Sequence, residues 1–158
     1  MGYTHYHIRD NRNKGSAYFY GKLALDAKAI IAEAQKRGIA ICGYDGTGEP
    51  EFNEGYFRFN GNAEAGEDYE TFAWEALPTQ QAWEARDENP HQIFDFCKTA
   101  HRPYDAVVTA VLIRAKVIYG DLVTVRSDGS WSEWQAGRDI YEAVFGELAP
   151  NPTGMVSA

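Results

Sequence analysis

Cysteine is scarce in this chain of 158 residues, in which only Cys42 and Cys97 occur. The two form no C-x-x-C pair, which disfavours a cysteine-based zinc site. The first residues lack the basic start and apolar core of a secretory leader, so we expect free thiols and a cytoplasmic location. No stretch approaches the roughly 18 apolar residues of a membrane span, and we predict no membrane association.

Basic residues are nearly absent from residues 45–90, which hold 12 Asp and Glu but two Arg. The whole chain carries a formal net charge of −8, and the remainder outside this segment is slightly basic. Proteins that bind nucleic acid through its backbone usually present a strongly basic face. We therefore predict no non-specific binding of DNA or RNA, although a small basic pocket is compatible with the rest of the chain.

The familiar catalytic motifs are missing as well. We find no P-loop, no G-x-S-x-G elbow and no H-E-x-x-H helix motif. His5 and His7 lie on one face of a predicted strand, where two imidazoles can share a metal, but no third ligand follows at a suitable spacing. We predict neither a metal nor a cofactor, and the absence of a catalytic set favours a binding protein over an enzyme.

Apolar residues make up 44% of the chain and aromatic residues 14%, enough for a packed core. Hydrophobic periodicity and turn signals divide the sequence into short strands and helices. The predicted strands are 3–8, 39–42, 56–59 with a hairpin partner at 69–74, and 122–125 with a return strand at 131–134. The predicted helices are 23–37, a short one at 93–99, a long buried one at 104–119, and 138–146.

These elements predict an α+β fold with a mostly antiparallel sheet packed against the long buried helix. We expect a single domain over residues 1–149 and a flexible tail over 150–158. Asn60-Gly61 is typical of a tight hairpin turn. Residues 9–17 are expected to form a loop, and 75–90 a surface excursion.

The basic segment 96–105 stands directly before the long helix. Lys98 and Arg102 would lie at the positive end of the helix dipole, where anions bind. Pro103 supplies no N–H donor, however, and Asp105 would repel an anion. Two interpretations stay open: the segment faces a ligand, or it forms a polar corner that fixes the helix.

Polar residues elsewhere in the chain complete a predicted pocket for a small anionic, nucleotide-like ligand. Abundant tyrosines could stack on its base. The predicted ligand-binding residues are His5, Asp45, Asn60, Glu70, Lys98, Thr99, Arg102 and Asp105.

A set of short motifs resembles a family of small proteins from phage and bacterial genomes that begin G-Y-T-H-Y-W. The shared positions start at Gly2-Tyr3-Thr4-His5-Tyr6 and include Phe96-Cys97-Lys98-Thr99-Ala100 and Pro103-Tyr104-Asp105. The sequence departs from the family at His7, where the family has Trp. The resemblance implies a phage accessory protein and carries no established activity with it.

Three functions follow as hypotheses. The leading one is a phage protein that binds, and in the host cytoplasm sequesters, a nucleotide-like host immune signal. The second is a hydrolase or phosphodiesterase in which His5 is the acid/base, Asp45 or Glu70 its partner, and Lys98 or Arg102 the charge stabiliser. The third is an inhibitor of a host defence complex that uses the acidic residues 45–90 as a DNA-like surface. Homo-oligomerisation and a host protein partner both stay open.

Overall fold

The computed structural model describes residues 2–12, 16–78 and 91–153. Helices and strands follow one another along the chain as β1 (Thr4–Asp10), α1 (Ser16–Lys36), β2 (Glu51–Phe52), β3 (Tyr56–Phe59), β4 (Phe72–Glu75), β5 (Gln92–Lys98), α2 (Asp105–Tyr119), β6 (Val123–Ser127) and α3 (Gln135–Phe145). Short 3-10 turns lie at Tyr44–Gly46, Gly120–Leu122 and Ser132–Trp134.

Two small antiparallel sheets and three helices form one compact α+β domain in the described part of the chain. The first sheet has the strand order β5-β1-β6, and the second has the order β2-β3-β4. β1 is the central strand of the first sheet, so His5 lies opposite Cys97 on one side and Ser127 on the other. The predicted fold class is confirmed.

A single hydrophobic core joins the three helices to both sheets. α2 packs against α1, α3 and β6. Its sequence is apolar on nearly every side, and every residue from Ala106 to Ile113 is buried. A helix of this composition can bury all its faces only when other elements surround it. Consequently, the first turn of α2 stands at a junction of helices and sheet.

The two sheets are tied together by Arg9 of β1, whose exposed fraction is 4%. Its Nη1 donates to the main-chain oxygen of Glu75 in β4 at 2.6 Å. Its guanidinium lies 4.3 Å from the ring centre of Trp74 and 5.2 Å from that of Tyr119. Burial lowers the pKa of Arg9. Cation–π contacts with the two rings compensate part of the lost hydration.

One predicted helix is wrong: of residues 93–99, all but Thr99 belong to β5, a strand over Gln92–Lys98. Ile93 and Cys97 are both buried, a spacing of four that fits one face of a helix. The same spacing also fits one face of a strand, because alternate residues share a face. The segment forms a strand because it pairs with β1 along its whole length.

Several predicted boundaries and turns also differ. Residues 131–134 form no return strand but a 3-10 turn, and 39–42 contribute only a single bridge, between Cys42 and Asn60. Asn60-Gly61 closes no tight hairpin: β3 and β4 do pair antiparallel, but Phe59 faces Phe72 across a connection of twelve residues, 60–71. The predicted loop at 9–17 is shorter, since β1 extends to Asp10 and α1 begins at Ser16.

The other predicted elements are confirmed in type: the strands near 3–8, 56–59 and 122–125, and the helices 23–37, 104–119 and 138–146. Most of the predicted excursion, residues 79–90, and the end of the predicted tail, residues 154–158, lie outside the described residues. Within the described ranges, no helix combines the length and the apolar character needed to cross a membrane.

Candidate functional site

Most of the predicted site residues gather where the end of β5, the start of α2 and the connection 60–71 meet. We call this region the polar corner. It comprises His5, Asn60, Tyr69, Glu70, Lys98, Thr99, Arg102, Tyr104 and Asp105. Its inner part consists of buried and half-buried side chains that form hydrogen bonds within the region. Its outer part consists of the half-buried Lys98 and the exposed Arg102 and Tyr69.

The inner part is centred on the carboxylate of Asp105, in the first turn of α2. Its Oδ1 accepts from His5 Nε2 at 2.6 Å and from Thr99 Oγ1 at 2.6 Å. His5 is 1% exposed and Thr99 is fully buried. Asp105 thus joins β1, the end of β5 and α2 through short hydrogen bonds to a charged acceptor, which are stronger than neutral ones.

Ser127 of β6 extends this chain of hydrogen bonds on the far side of the imidazole. Its Oγ accepts from the Gly129 N–H at 2.9 Å and from Trp134 Nε1 at 3.2 Å, and lies 2.8 Å from His5 Nδ1. Two donors already approach the hydroxyl oxygen, which favours the Ser127 hydroxyl as the donor to His5 Nδ1. The neutral tautomer of His5 then carries its proton on Nε2 and donates it to Asp105.

Asn60 is the most completely bonded of the predicted residues. Its Oδ1 accepts from the N–H groups of Gly61 and Tyr69, and its Nδ2 donates to the Tyr69 main-chain oxygen and to Thr71 Oγ1. The side chain is fully buried. All four of its hydrogen-bonding positions are occupied, so Asn60 shapes the connection 60–71 and offers no group to a ligand.

Glu70 fastens that connection to the end of β5. Its Oε1 accepts from the Lys98 N–H at 2.7 Å, and its own N–H donates to the Lys98 main-chain oxygen at 3.1 Å. The Tyr104 hydroxyl donates to the Glu70 main-chain oxygen. Burial raises the pKa of Tyr104, which keeps the hydroxyl protonated as the donor.

The outer part presents two cations beside an aromatic ring. The ring centre of Tyr69 lies 5.6 Å from Lys98 Nζ and 5.9 Å from the Arg102 guanidinium. Tyr69 is 43% exposed. Among the described residues, no carboxylate lies within 4 Å of either cation. Arg102 is held instead by a bond from its Nε to the Asp68 main-chain oxygen at 3.3 Å.

A strained turn separates the two cations. Ala100 and His101 both adopt left-handed backbone conformations, with φ of 51° and 59°. Two successive non-glycine residues of this kind are costly, and such strain is found most often at functional sites. The His101 ring stacks on Tyr3 at 3.6 Å between ring centres, and the N–H groups of Thr99 and Ala100 both donate to the Tyr3 main-chain oxygen.

Asp45 lies apart from the inner part, on the exposed 3-10 turn Tyr44–Gly46, with φ of 56°. Its main-chain N–H donates to Thr71 Oγ1 at 3.0 Å, and this bond links it to the connection 60–71. The structure therefore brings seven of the eight predicted residues to the polar corner and leaves Asp45 at its margin.

The predicted ligand-binding set omits Ser127, which lies beside His5, and it includes Tyr69 and Tyr104 only in so far as tyrosines in general could stack on a base. Ser127 is followed by Asp128-Gly129, a turn signal, and this context gives no sign of the contact with His5. Tyr69 precedes Glu70 directly, so a signal for it existed, since a residue beside a predicted ligand-binding side chain is a natural candidate for the rim.

Groups of three or more His, Cys, Asp or Glu side chains placed to hold a metal do not occur among the described residues. No protein-family model, curated protein or solved structure matches this chain.

Proposed function

We propose that this protein binds a small anionic ligand with a planar aromatic part, of the nucleotide class, on Tyr69, Lys98 and Arg102. We call these three residues the cationic platform. One observation carries the proposal: two cations without a carboxylate partner among the described residues flank one exposed aromatic ring.

The chemistry of the platform fits both halves of such a ligand. A nucleobase stacks on an aromatic ring with about 1–3 kcal/mol per base. A phosphate accepts charge-assisted hydrogen bonds from Lys and Arg, and the fork of Arg102 suits a bidentate contact. In the described part of the chain, no hydrogen bond uses the Nη atoms of Arg102.

The inner part of the polar corner supports this role by fixing the platform. Lys98 is held through its main chain by Glu70, and Arg102 directly follows the strained residues Ala100 and His101. A Cβ at Gly2 would come within 2.5 Å of Lys98 Cε, so the absence of a side chain there makes room for the lysine stem. Preorganised cations lose less freedom when a ligand binds.

The buried position of the His5 side chain favours a binding function over a hydrolytic one. Its side chain is 0% exposed and lies between Ser127 and Asp105, so neither ring nitrogen faces solvent. An acid/base catalyst needs a nitrogen within reach of the substrate. The Ser127 hydroxyl also accepts two hydrogen bonds and has no free lone pair for attack on a substrate. We therefore interpret the chain of hydrogen bonds Ser127–His5–Asp105 as a structural feature.

The alternative of an acidic, protein-binding surface rests on the charge of residues 45–90 alone. The phage origin, and with it the sequestration of a host immune signal, stays a prediction from the sequence motifs.

Calorimetry with a panel of cyclic and ADP-ribose-derived nucleotides tests the proposal. We expect saturable binding of at least one of them. Tyr69→Leu, Lys98→Met and Arg102→Gln should each weaken that binding about tenfold, the size of one stacking or charge-assisted contact.

Lys36→Met is the matched control, because it removes an exposed cation from the last turn of α1 and should leave the affinity unchanged. The proposal is wrong when the folded protein binds none of the panel. It is also wrong when the platform variants bind as tightly as the wild type.

A further inference from the structure

We propose that the outer face of the β5-β1-β6 sheet holds a second site, for a small amphipathic anion such as a medium-chain carboxylate. This site is separate from the cationic platform. A cavity of about 380 Å³ opens in this face. Its lining residues are Tyr6, His7, Ile8, Phe94, Thr124 and Arg126.

The apolar half of the site arises from the alternation of side chains along β1 and β5. The odd-numbered residues of β1 point into the core, which places Tyr6 and Ile8 on the outer face, where both are half-buried. Ile8 lies opposite Phe94 and Tyr6 opposite Phe96. The Tyr6 and Phe94 rings lie 6.2 Å apart, and Phe96 is 40% exposed. Contiguous apolar surface of this kind usually marks a binding site.

The polar half of the site comes from β6. Thr124 and Arg126 are exposed, and the register places Arg126 opposite Tyr6 and Thr124 opposite Ile8. Within the described residues, Arg126 has no carboxylate within 4 Å. The outer face thus changes from apolar to cationic across the β1–β6 pair, and the cavity lies at this boundary.

Asp128 is the acidic residue nearest in sequence on the same face of the chain as Arg126. Its Oδ1 accepts from the Tyr6 hydroxyl at 3.1 Å, and its Oδ2 accepts from the Thr4 N–H at 3.1 Å. Among the described residues, no ion pair joins Asp128 to Arg126, so the guanidinium of Arg126 stays available to an incoming anion.

These features together define the chemistry of the ligand. The cavity falls in the usual size range of small-molecule sites, which are apolar with a few placed polar groups. An apolar body would cover Tyr6, Ile8 and Phe94, while an anionic head would pair with Arg126 and accept from the Thr124 hydroxyl. A neutral apolar molecule would leave Arg126 without this pairing, and a compact inorganic anion would leave the apolar surface exposed.

Fluorescence titration of the full chain with 8-anilinonaphthalene-1-sulfonate, an amphipathic anion, tests the site. We expect a saturable rise in fluorescence that decanoate reverses and decanol does not. Arg126→Gln should weaken the affinity for the dye about tenfold, and Ile8→Thr should also weaken it. Lys36→Gln is the control cation and should change nothing. Circular dichroism of each variant checks that the dye reports on folded protein.

The cationic platform is tested separately by Lys98→Met and Arg102→Gln. Because the dye is itself an aromatic anion, only the part of its signal that decanoate displaces is compared, and these two variants should leave that part unchanged. Loss of dye binding in these two variants, with Arg126→Gln unaffected, would place the anion on the platform and overturn the second site. A native protein that shows no saturable signal would overturn it as well. Displacement by decanol as effective as that by decanoate would contradict the role of Arg126.

Discussion

His5 Nε2 and Asp105 Oδ1 are 2.6 Å apart, although 100 residues separate them in sequence. The bond connects the central strand of the first sheet to the first turn of α2. Because Asp105 Oδ1 also accepts from Thr99, it places the end of β5 at the same point. The outer cations of the polar corner, Lys98 and Arg102, flank this junction, so the geometry of the cationic platform depends on the half-buried carboxylate of Asp105.

Replacing Asp105 by Ala should destabilise the protein by about 3 kcal/mol, because two buried donors, His5 Nε2 and Thr99 Oγ1, lose their acceptor. Urea unfolding measures the change. Asp105→Asn, which keeps an acceptor oxygen, should cost less. Equal stability of the Ala variant and the wild type would show that water or another group replaces the carboxylate without loss.

How far the sequence predicts the structure depends on the length over which a pattern runs. α2 is predictable because apolar residues recur on nearly every side of the helix over fifteen positions, where local propensity and burial agree. β5 is only seven residues long, and its apolar spacing fits a helix as well as a strand. Its pairing with β1, a contact between distant parts of the chain, decides the outcome.

The turn Ser132–Trp134 shows the same limit. Trp131 and Trp134 are both buried, and in a 3-10 helix of three residues per turn they share one face. The sequence alone does not distinguish this turn from a return strand, because a strand is also compatible with two tryptophans flanked by polar residues.

In the polar corner, the sequence predicts which polar side chains are candidates for the site. It does not predict that His5 contacts Ser127 and Asp105, because these contacts depend on the register of β1 and β6 and on the position of α2.

Acid should destabilise the protein through His7. Burial lowers the pKa of this imidazole from its usual 6.5 to about 3. The unfolded chain therefore binds a proton below pH 6.5 that the folded protein does not bind until near pH 3, and stability falls as the pH falls through this window.

His7→Gln removes this titration and keeps every other group common to the two proteins. Between pH 7 and pH 5, the wild type should lose about 2 kcal/mol more than the variant. Urea unfolding at several pH values between 7 and 5 measures the difference, a window chosen to lie above the range in which carboxylates titrate. Parallel pH profiles would show that the folded protein accepts a proton on His7.

Arg9 provides a test of charge burial. Arg9→Lys keeps a buried cation but loses the planar contact with Trp74 and Tyr119, whereas Arg9→Met removes the charge and keeps an apolar stem. An uncompensated buried charge costs more than an apolar replacement. We expect Arg9→Lys to be the less stable of the two in urea unfolding. The reverse order would indicate that the ammonium finds partners equal to those of the guanidinium.

Gly137 and Gly21 form a matched pair of helical glycines. A Cβ at Gly137 would lie 1.9 Å from Thr109 Oγ1 and 2.9 Å from the Ala106 main-chain oxygen, while a Cβ at Gly21 would meet nothing within 4 Å. Gly137→Ala should therefore force α3 away from α2 and cost about 2–3 kcal/mol. Gly21→Ala should stabilise α1 by about 0.5–1 kcal/mol. Thermal melting of both variants checks the opposite signs.

A substitution in the strained turn between Lys98 and Arg102 should change stability and ligand affinity in opposite directions. Ala100→Gly relieves a left-handed conformation and should stabilise the fold by up to about 1 kcal/mol. The same change loosens the chain between the two cations, so the affinity for a nucleotide that binds the cationic platform should fall. Unfolding and calorimetry on the same variant measure both effects. A variant that is more stable and binds as tightly as the wild type would show that the left-handed turn plays no part in holding the platform.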